Sequence, residues 1–159
     1  MKKIQLPSLV FGSRHAHVDT SEASLYDRLK LLSDGWTPTF ESLVKPHEFI
    51  SHSGSIKING LIIGSIASTA IRFSVKKSKN ILIFIPLMGS GKFRCKDEEF
   101  IYREGDRAVV IPAEDFDGES TLRSSMAINI DPNRLESTAR SMLGIESSTV
   151  NLIDLDRPQ

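Results

Sequence analysis

Between Gly54 and Ile130 the sequence alternates with a period of two, in short runs broken by turn residues. A helix repeats its apolar face every three to four residues, so this stretch reads as strands. The candidates are residues 55–58, 61–68, 71–76, 81–88, 91–96, 99–102, 108–111, 119–122 and 125–130. Turn chemistry separates them: Asn59-Gly60, Met88-Gly89-Ser90-Gly91, Lys96-Asp97-Glu98, Glu104-Gly105-Asp106 and Asp115-Phe116-Asp117-Gly118. Short strands at close spacing build a sandwich or a barrel. The run Ile81-Leu82-Ile83-Phe84-Ile85 is apolar on both faces, so it needs cover on both sides, as in a barrel wall packed against a helix or a subunit.

The flanks differ in texture. Residues 1–53 read as an N-terminal helix and arm. Within them Leu25, Leu29 and Leu32 recur at helical spacing over residues 21–33, with Thr20 or Ser21 as the cap and Ser33-Asp34-Gly35 as the stop. Residues 36–53, with Pro38 and Pro46, read as an irregular arm. The barrel occupies residues 54–130, and a C-terminal helix follows over 131–144. Asp131 fits its N-cap, Pro132 the first helical position and Gly144 the stop. Leu135, Ala139, Met142 and Leu143 share one face of that helix, which packs either on its own barrel or on a partner chain. Residues 145–159 read as the start of a connection to a further domain, because the ending is abrupt.

Twenty basic residues balance twenty acidic ones, so these residues offer no cationic surface for gripping DNA. The single cysteine, Cys95, forms no intrachain disulfide or CxxC metal pair and sits in an alternating run as an inert thiol. The N-terminus lacks the apolar run of a signal peptide, and residues 80–88 are too short to span a bilayer; the expectation is a cytoplasmic protein without membrane contact. The histidines, His15, His17, His47 and His52, all precede the expected strand region, so no metal site is expected on the barrel. No Gly-x-Ser-x-Gly elbow appears, Gly89-Ser90-Gly91 reads as a hairpin turn, and the acidic pairs sit in turns. No catalytic residue is assigned.

One constellation is more specific. Ile85-Pro86-Leu87-Met88-Gly89-Ser90-Gly91-Lys92-Phe93 leads through Glu98-Glu99-Phe100 into Arg103-Glu104-Gly105-Asp106, and then to Pro112. Together with residues 59–66 upstream and 128–135 downstream, it resembles the cupin-like N-terminal domain of AraC-family transcription regulators over roughly residues 40–145. Gly105-Asp106 suits a tight turn with Asp106 capping nearby N–H groups, and Pro112 suits the end of a strand. The resemblance implies a mostly β fold, a cupin-like double-stranded β-helix barrel with an N-terminal helix and arm and a C-terminal helix. It lies with the branch that senses ligands and carries no metal, so no cofactor is implied.

By that resemblance, the domain senses a small-molecule effector, holds a homodimer together, or does both. DNA is then reached only through a helix-turn-helix domain beyond Gln159. For an effector site the candidates are Trp36, Arg72, Phe84, Phe93 and Tyr102, although the plainer reading of the phenylalanines is core and that of Arg72 an exposed outward-facing charge. For dimerisation the candidates are Leu135, Ala139, Met142 and Leu143. Two rival classes remain, both stand-alone cupin-like barrels: a small-molecule enzyme and a protein-interaction module.

Overall fold

The computed structural model describes residues 4–12, 14, 16–32, 37–76 and 78–144. Two antiparallel sheets enclose the core. The elements run β1 (His17–Asp19), α1 (Glu22–Leu32), β2 (Thr37–Ser42), a 3₁₀ turn (Pro46–Glu48), β3 (Ser51–Ile58), β4 (Leu61–Ser68), β5 (Ile71–Lys76), β6 (Ile81–Met88), β7 (Ser90–Cys95), β8 (Glu98–Arg103), β9 (Val109–Ile111), β10 (Phe116–Ser120), β11 (Arg123–Ile130) and α2 (Pro132–Leu143). One sheet is ordered β1-β3-β4-β11-β6-β9 and the other β2-β5-β10-β7-β8. The fold is therefore the mostly β, cupin-like barrel with two helices that the resemblance implies.

Local chemistry explains the joints. Asn59 and Gly60 both take positive φ, 49° and 81°, which closes the two-residue β3–β4 hairpin. Gly105 has φ 79°, and the Arg103 N–H donates to Asp106 Oδ2 at 2.6 Å. Asp131 accepts from the Asn133 N–H at 2.9 Å to cap α2, and Gly144 ends the helix in the left-handed region at φ 65°. Ser21 caps α1, its hydroxyl accepting from the Ser24 N–H at 3.2 Å. Arg28 then ties α1 to β1, donating to Asp19 from both Nε (2.9 Å to Oδ2) and an η nitrogen (2.8 Å to Oδ1). Asp19 is buried, and this pairing holds the Arg28 guanidinium above its ordinary pKa.

Several boundaries depart from the sequence reading. The arm is not irregular throughout: residues 37–42 form β2, at the edge of its sheet, where Pro38 needs no ladder partner on its solvent side. Strand β3 begins at Ser51 rather than residue 55, and β1 precedes it, so His17 and His52 do lie on strands. Strand β10 is Phe116–Ser120 rather than residues 119–122, and β11 begins at Arg123 rather than residue 125.

The outer face of the larger sheet carries an apolar row. Ile56, Ile63, Ile128, Ile83 and Val110 are neighbours in register across β3, β4, β11, β6 and β9. Part of this row is exposed, Ile56 and Val110 included. Ile83, at the centre of the doubly apolar run in β6, lies within it. On the same face, further along β3 and β4, the N-terminal segment packs locally, with the Val10 N–H donating to Ser65 Oγ at 3.1 Å and Leu9 buried.

Candidate ligand-binding site

The two sheets close around a cavity of about 160 Å³. A void of this size holds a benzene-sized molecule. One wall is aromatic: Phe40, Phe73, Phe93 and Phe116 reach in from β2, β5, β7 and β10, and Phe84 joins them from β6. The rings pack edge to face, with Phe84 and Phe93 at 4.8 Å and Phe73 and Phe93 at 5.7 Å between centroids.

The opposite wall is built from hydroxyls. In register, Ser51 on β3 faces Ser68 on β4, which faces Arg123 on β11. Two residues further along the strands, Ser53, Ile66 and Ser125 form the next row, and Ser55, Gly64 and Ala127 the one after. Alternate residues of a strand share a face, so these rows all point into the barrel. The hydroxyls of Ser51, Ser53, Ser68 and Ser125 are buried and lack a hydrogen-bond partner among the described residues. Buried hydroxyls are ordinarily paired, so a cluster of unpaired ones marks a place where an outside group is expected.

Arg123 sits at the closed end of this wall. It is 94% buried, since its relative exposure is 6%. Its guanidinium carbon lies 5.1 Å from the centroid of Phe73 and 6.0 Å from that of Phe84, both cavity-lining rings. Among the described residues no carboxylate pairs with it and its Nε has no acceptor. Among the described residues it is also the one ionisable side chain lining the cavity. Burial along β11 falls from buried at residues 123–125 to half-buried at 126–130, so the cavity closes at Arg123 and opens toward Asn129.

The expected site residues scatter. Phe84 and Phe93 line the cavity. Tyr102 is buried behind them, its ring 4.9 Å from Phe84 and 5.3 Å from Phe93, and does not reach the cavity surface. Arg72 is corrected outright: it is exposed on the outer face of the smaller sheet, 2.7 Å from Glu41 and 3.7 Å from Glu119. It belongs there to a surface network with Lys92, Arg94 and Glu99, in which the Arg94 hydrogen bond holds the Glu99 carboxyl below its ordinary range. Exposed pairs of this kind contribute little to stability. Trp36 lies outside the described residues. On α2, Leu135 is partly exposed, Met142 is exposed and Ala139 is half-buried; nothing is described of the Leu143 side chain.

Arg123 escaped the sequence reading because it fell in the gap between two expected strands. Its signal was parity: Arg123 is in phase with Ser125, Ala127 and Asn129, an unusual inward series of small and polar residues. Cys95 is buried, with its S–H directed at Glu114 (3.7 Å) and the Asp115 carbonyl (3.6 Å). Burial, then the Glu114 charge, pushes the thiol up, the direction that disfavours the thiolate. Among the described residues no three His, Cys, Asp or Glu side chains converge as metal ligands, and no helix is long and apolar enough to cross a membrane.

No family model matches the sequence, and no curated protein is significantly similar to it. Solved structures do share its fold. The AraC-like transcriptional activator CuxR superposes with a TM-score of 0.65 at 14% identity, over 90% of this chain and 57% of that one. Slighter likenesses include a cupin-like protein from Thermotoga maritima (TM-score 0.45, 12% identity, 64% of this chain and 76% of that one). The Clostridium difficile EutQ protein is another (TM-score 0.44, 10% identity, 54% and 66%). The chain thus has a cupin-like barrel of the kind found in an AraC-like activator, and spans just over half of that activator's length.

Proposed function

We propose that this barrel is the effector-sensing and dimerisation domain of an AraC-type transcription regulator, acting in the cytoplasm. The observation that carries the reading is the cavity itself, lined on one side by unpaired buried hydroxyls and on the other by aromatic rings. A barrel that served only as a scaffold would gain stability by filling that space with apolar side chains. The shared fold with CuxR supports the regulatory setting. DNA contact belongs to a helix-turn-helix unit outside the barrel, in keeping with the balanced charge of this chain.

The sensing role is tested by occluding the cavity. A Cβ on Gly64 meets the Ala127 carbonyl oxygen at an ordinary 3.9 Å, so Gly64→Leu fits the backbone and projects into the cavity. In a thermal-shift screen of small metabolites, effectors raise the midpoint of the wild type; saturation at a hundredfold excess over Kd gives about 2.7 kcal/mol, or roughly 5–10 °C. The same compounds leave Gly64→Leu unmoved. Equal shifts in both proteins would remove the cavity from the mechanism.

For dimerisation we propose the α2 stripe, with a second copy of the chain as its partner. Met142 is 83% exposed and Leu135 38%, an apolar pair two turns apart on one helical face that its own barrel covers only in part. Leu135→Asp with Met142→Asp is expected to sediment as a folded monomer. Unchanged sedimentation of the folded double variant would refute the assignment.

A further inference from the structure

The position of Arg123 narrows the chemistry of the ligand, on the premise that the cavity is an effector site. We infer that the cavity binds a small monocarboxylate, with the carboxylate buried against Arg123 and an aryl or short branched apolar body extending toward Asn129.

Four observations carry this. First, Arg123 is buried, and among the described residues no carboxylate pairs with it and its Nε has no acceptor, a costly state for a guanidinium. Its two ring contacts, to Phe73 and Phe84, lie at the faces of aromatic groups and satisfy no N–H donor. An acceptor-rich anion supplies what the protein does not. Second, unpaired hydroxyls lie beside Arg123: Ser68 and Ser51 in its own row, and Ser53 and Ser125, which line the cavity, in the next, so the latter two can donate to the same carboxylate. Third, among the described residues Arg123 is alone among ionisable lining side chains, so one negative charge is neutralised and two are not. A carboxylate matches that charge; a dianionic phosphate or phosphonate would carry an uncompensated charge into a low-dielectric space. Fourth, the remaining wall is aromatic and the volume, about 160 Å³, admits a ring or a short branched chain rather than a large polar body.

Polarity along the cavity sets the orientation. The closed end holds the charge, whereas the open end near Asn129 is bordered by Ser55 and Ser78. The ligand therefore enters head first and leaves its apolar body between Phe73, Phe84 and the small residues Gly64 and Ala127.

Calorimetric titration and thermal shift of the wild-type chain with straight, branched and aryl monocarboxylates, phenylacetate among them, test the inference. Phenylacetamide and benzylphosphonate serve as neutral and dianionic partners of the same body. At least one acid is expected to bind, with its amide weaker by roughly 10- to 100-fold, the range for a charge-assisted hydrogen bond. The phosphonate is expected to bind more weakly than the acid. Arg123→Met, which conserves length and apolar volume, is expected to abolish binding of the acid.

Failure of every acid to bind overturns the inference, as does an amide that binds as tightly as its acid. So does retention of the acid by a folded Arg123→Met variant. The Gly64→Leu arm separates the two levels of the argument. If amide and acid bind alike and Gly64→Leu abolishes both, the cavity reading survives and the carboxylate inference falls. If Gly64→Leu binds like the wild type, both fall.

Discussion

Arg123→Met raises the thermal midpoint of the ligand-free domain by roughly 3–10 °C, because removing an uncompensated buried charge stabilises by about 1–3 kcal/mol. The opposing terms are smaller. Loss of the two cation–π contacts, at 5.1 Å and 6.0 Å, removes stabilisation. Methionine recovers part of it, since a thioether against a ring contributes about 0.3–1.5 kcal/mol. Most substitutions of buried residues destabilise, so a gain at a residue that is 6% exposed would be diagnostic. Functional sites commonly trade stability for recognition, and the sign of this one number separates that role from a structural one. Calorimetric or fluorescence melting of the two purified proteins decides it: a midpoint that falls on substitution would make Arg123 a net contributor to the core.

Gly91→Ala acts in the opposite direction and is expected to cost more than about 3 kcal/mol, enough to bring a domain of typical stability close to unfolding. Gly91 on β7 pairs with Tyr102 on β8 and with Ser120 on β10. An added Cβ would lie 2.7 Å from the Tyr102 ring carbon bearing the hydroxyl, and closer still to the Glu119 carbonyl. Tyr102 is nearly inaccessible and wedged against Phe84 and Phe93, so it has little room to yield. Trimming it by Tyr102→Leu does not rescue the variant, because the Glu119 carbonyl is backbone held in the sheet. Near-ultraviolet circular dichroism and urea titration read the loss; a stable Gly91→Ala protein would mean that β7 and β10 stand further apart than described.

These two residues also explain how far the sequence could be read. Turns with local chemistry were legible: Asn59-Gly60 and Gly105-Asp106 make their bends wherever they occur. So was β6, whose apolar run needs no partner to be recognised. Other glycines misled. Asp117-Gly118 reads as a turn, yet Gly118 lies within β10 because the Phe73 ring occupies the space a side chain would need. Gly91, read both as the end of a hairpin turn and as the first residue of strand 91–96, lies inside β7. Glycine there answers a packing demand from another strand, which local sequence cannot display.

The candidate site was the harder part. A barrel strand is recognised by apolar residues on its inner face, and β3 carries Ser51, Ser53 and Ser55 there instead. The usual sign is reversed at a wall that faces a cavity, so the arm looked like loop and Arg123 looked like turn. Phe84 and Phe93 were identifiable as inward aromatics, whereas choosing between core and cavity required the opposite wall. Arg72 drew attention as an arginine between apolar neighbours, but that alternation places it outside the barrel.

The serine wall has one more consequence. β3, β4 and β11 are held to one another by main-chain ladders over their whole lengths, so the inward side chains at Ser51, Ser53, Ser68 and Ser125 are largely dispensable for folding. If the cavity is the effector site proposed above, recognition and architecture are carried by different atoms of the same three strands. Substituting these serines one at a time should change which molecule is accepted while leaving the scaffold intact, so the barrel is a template whose specificity can be rewritten in place.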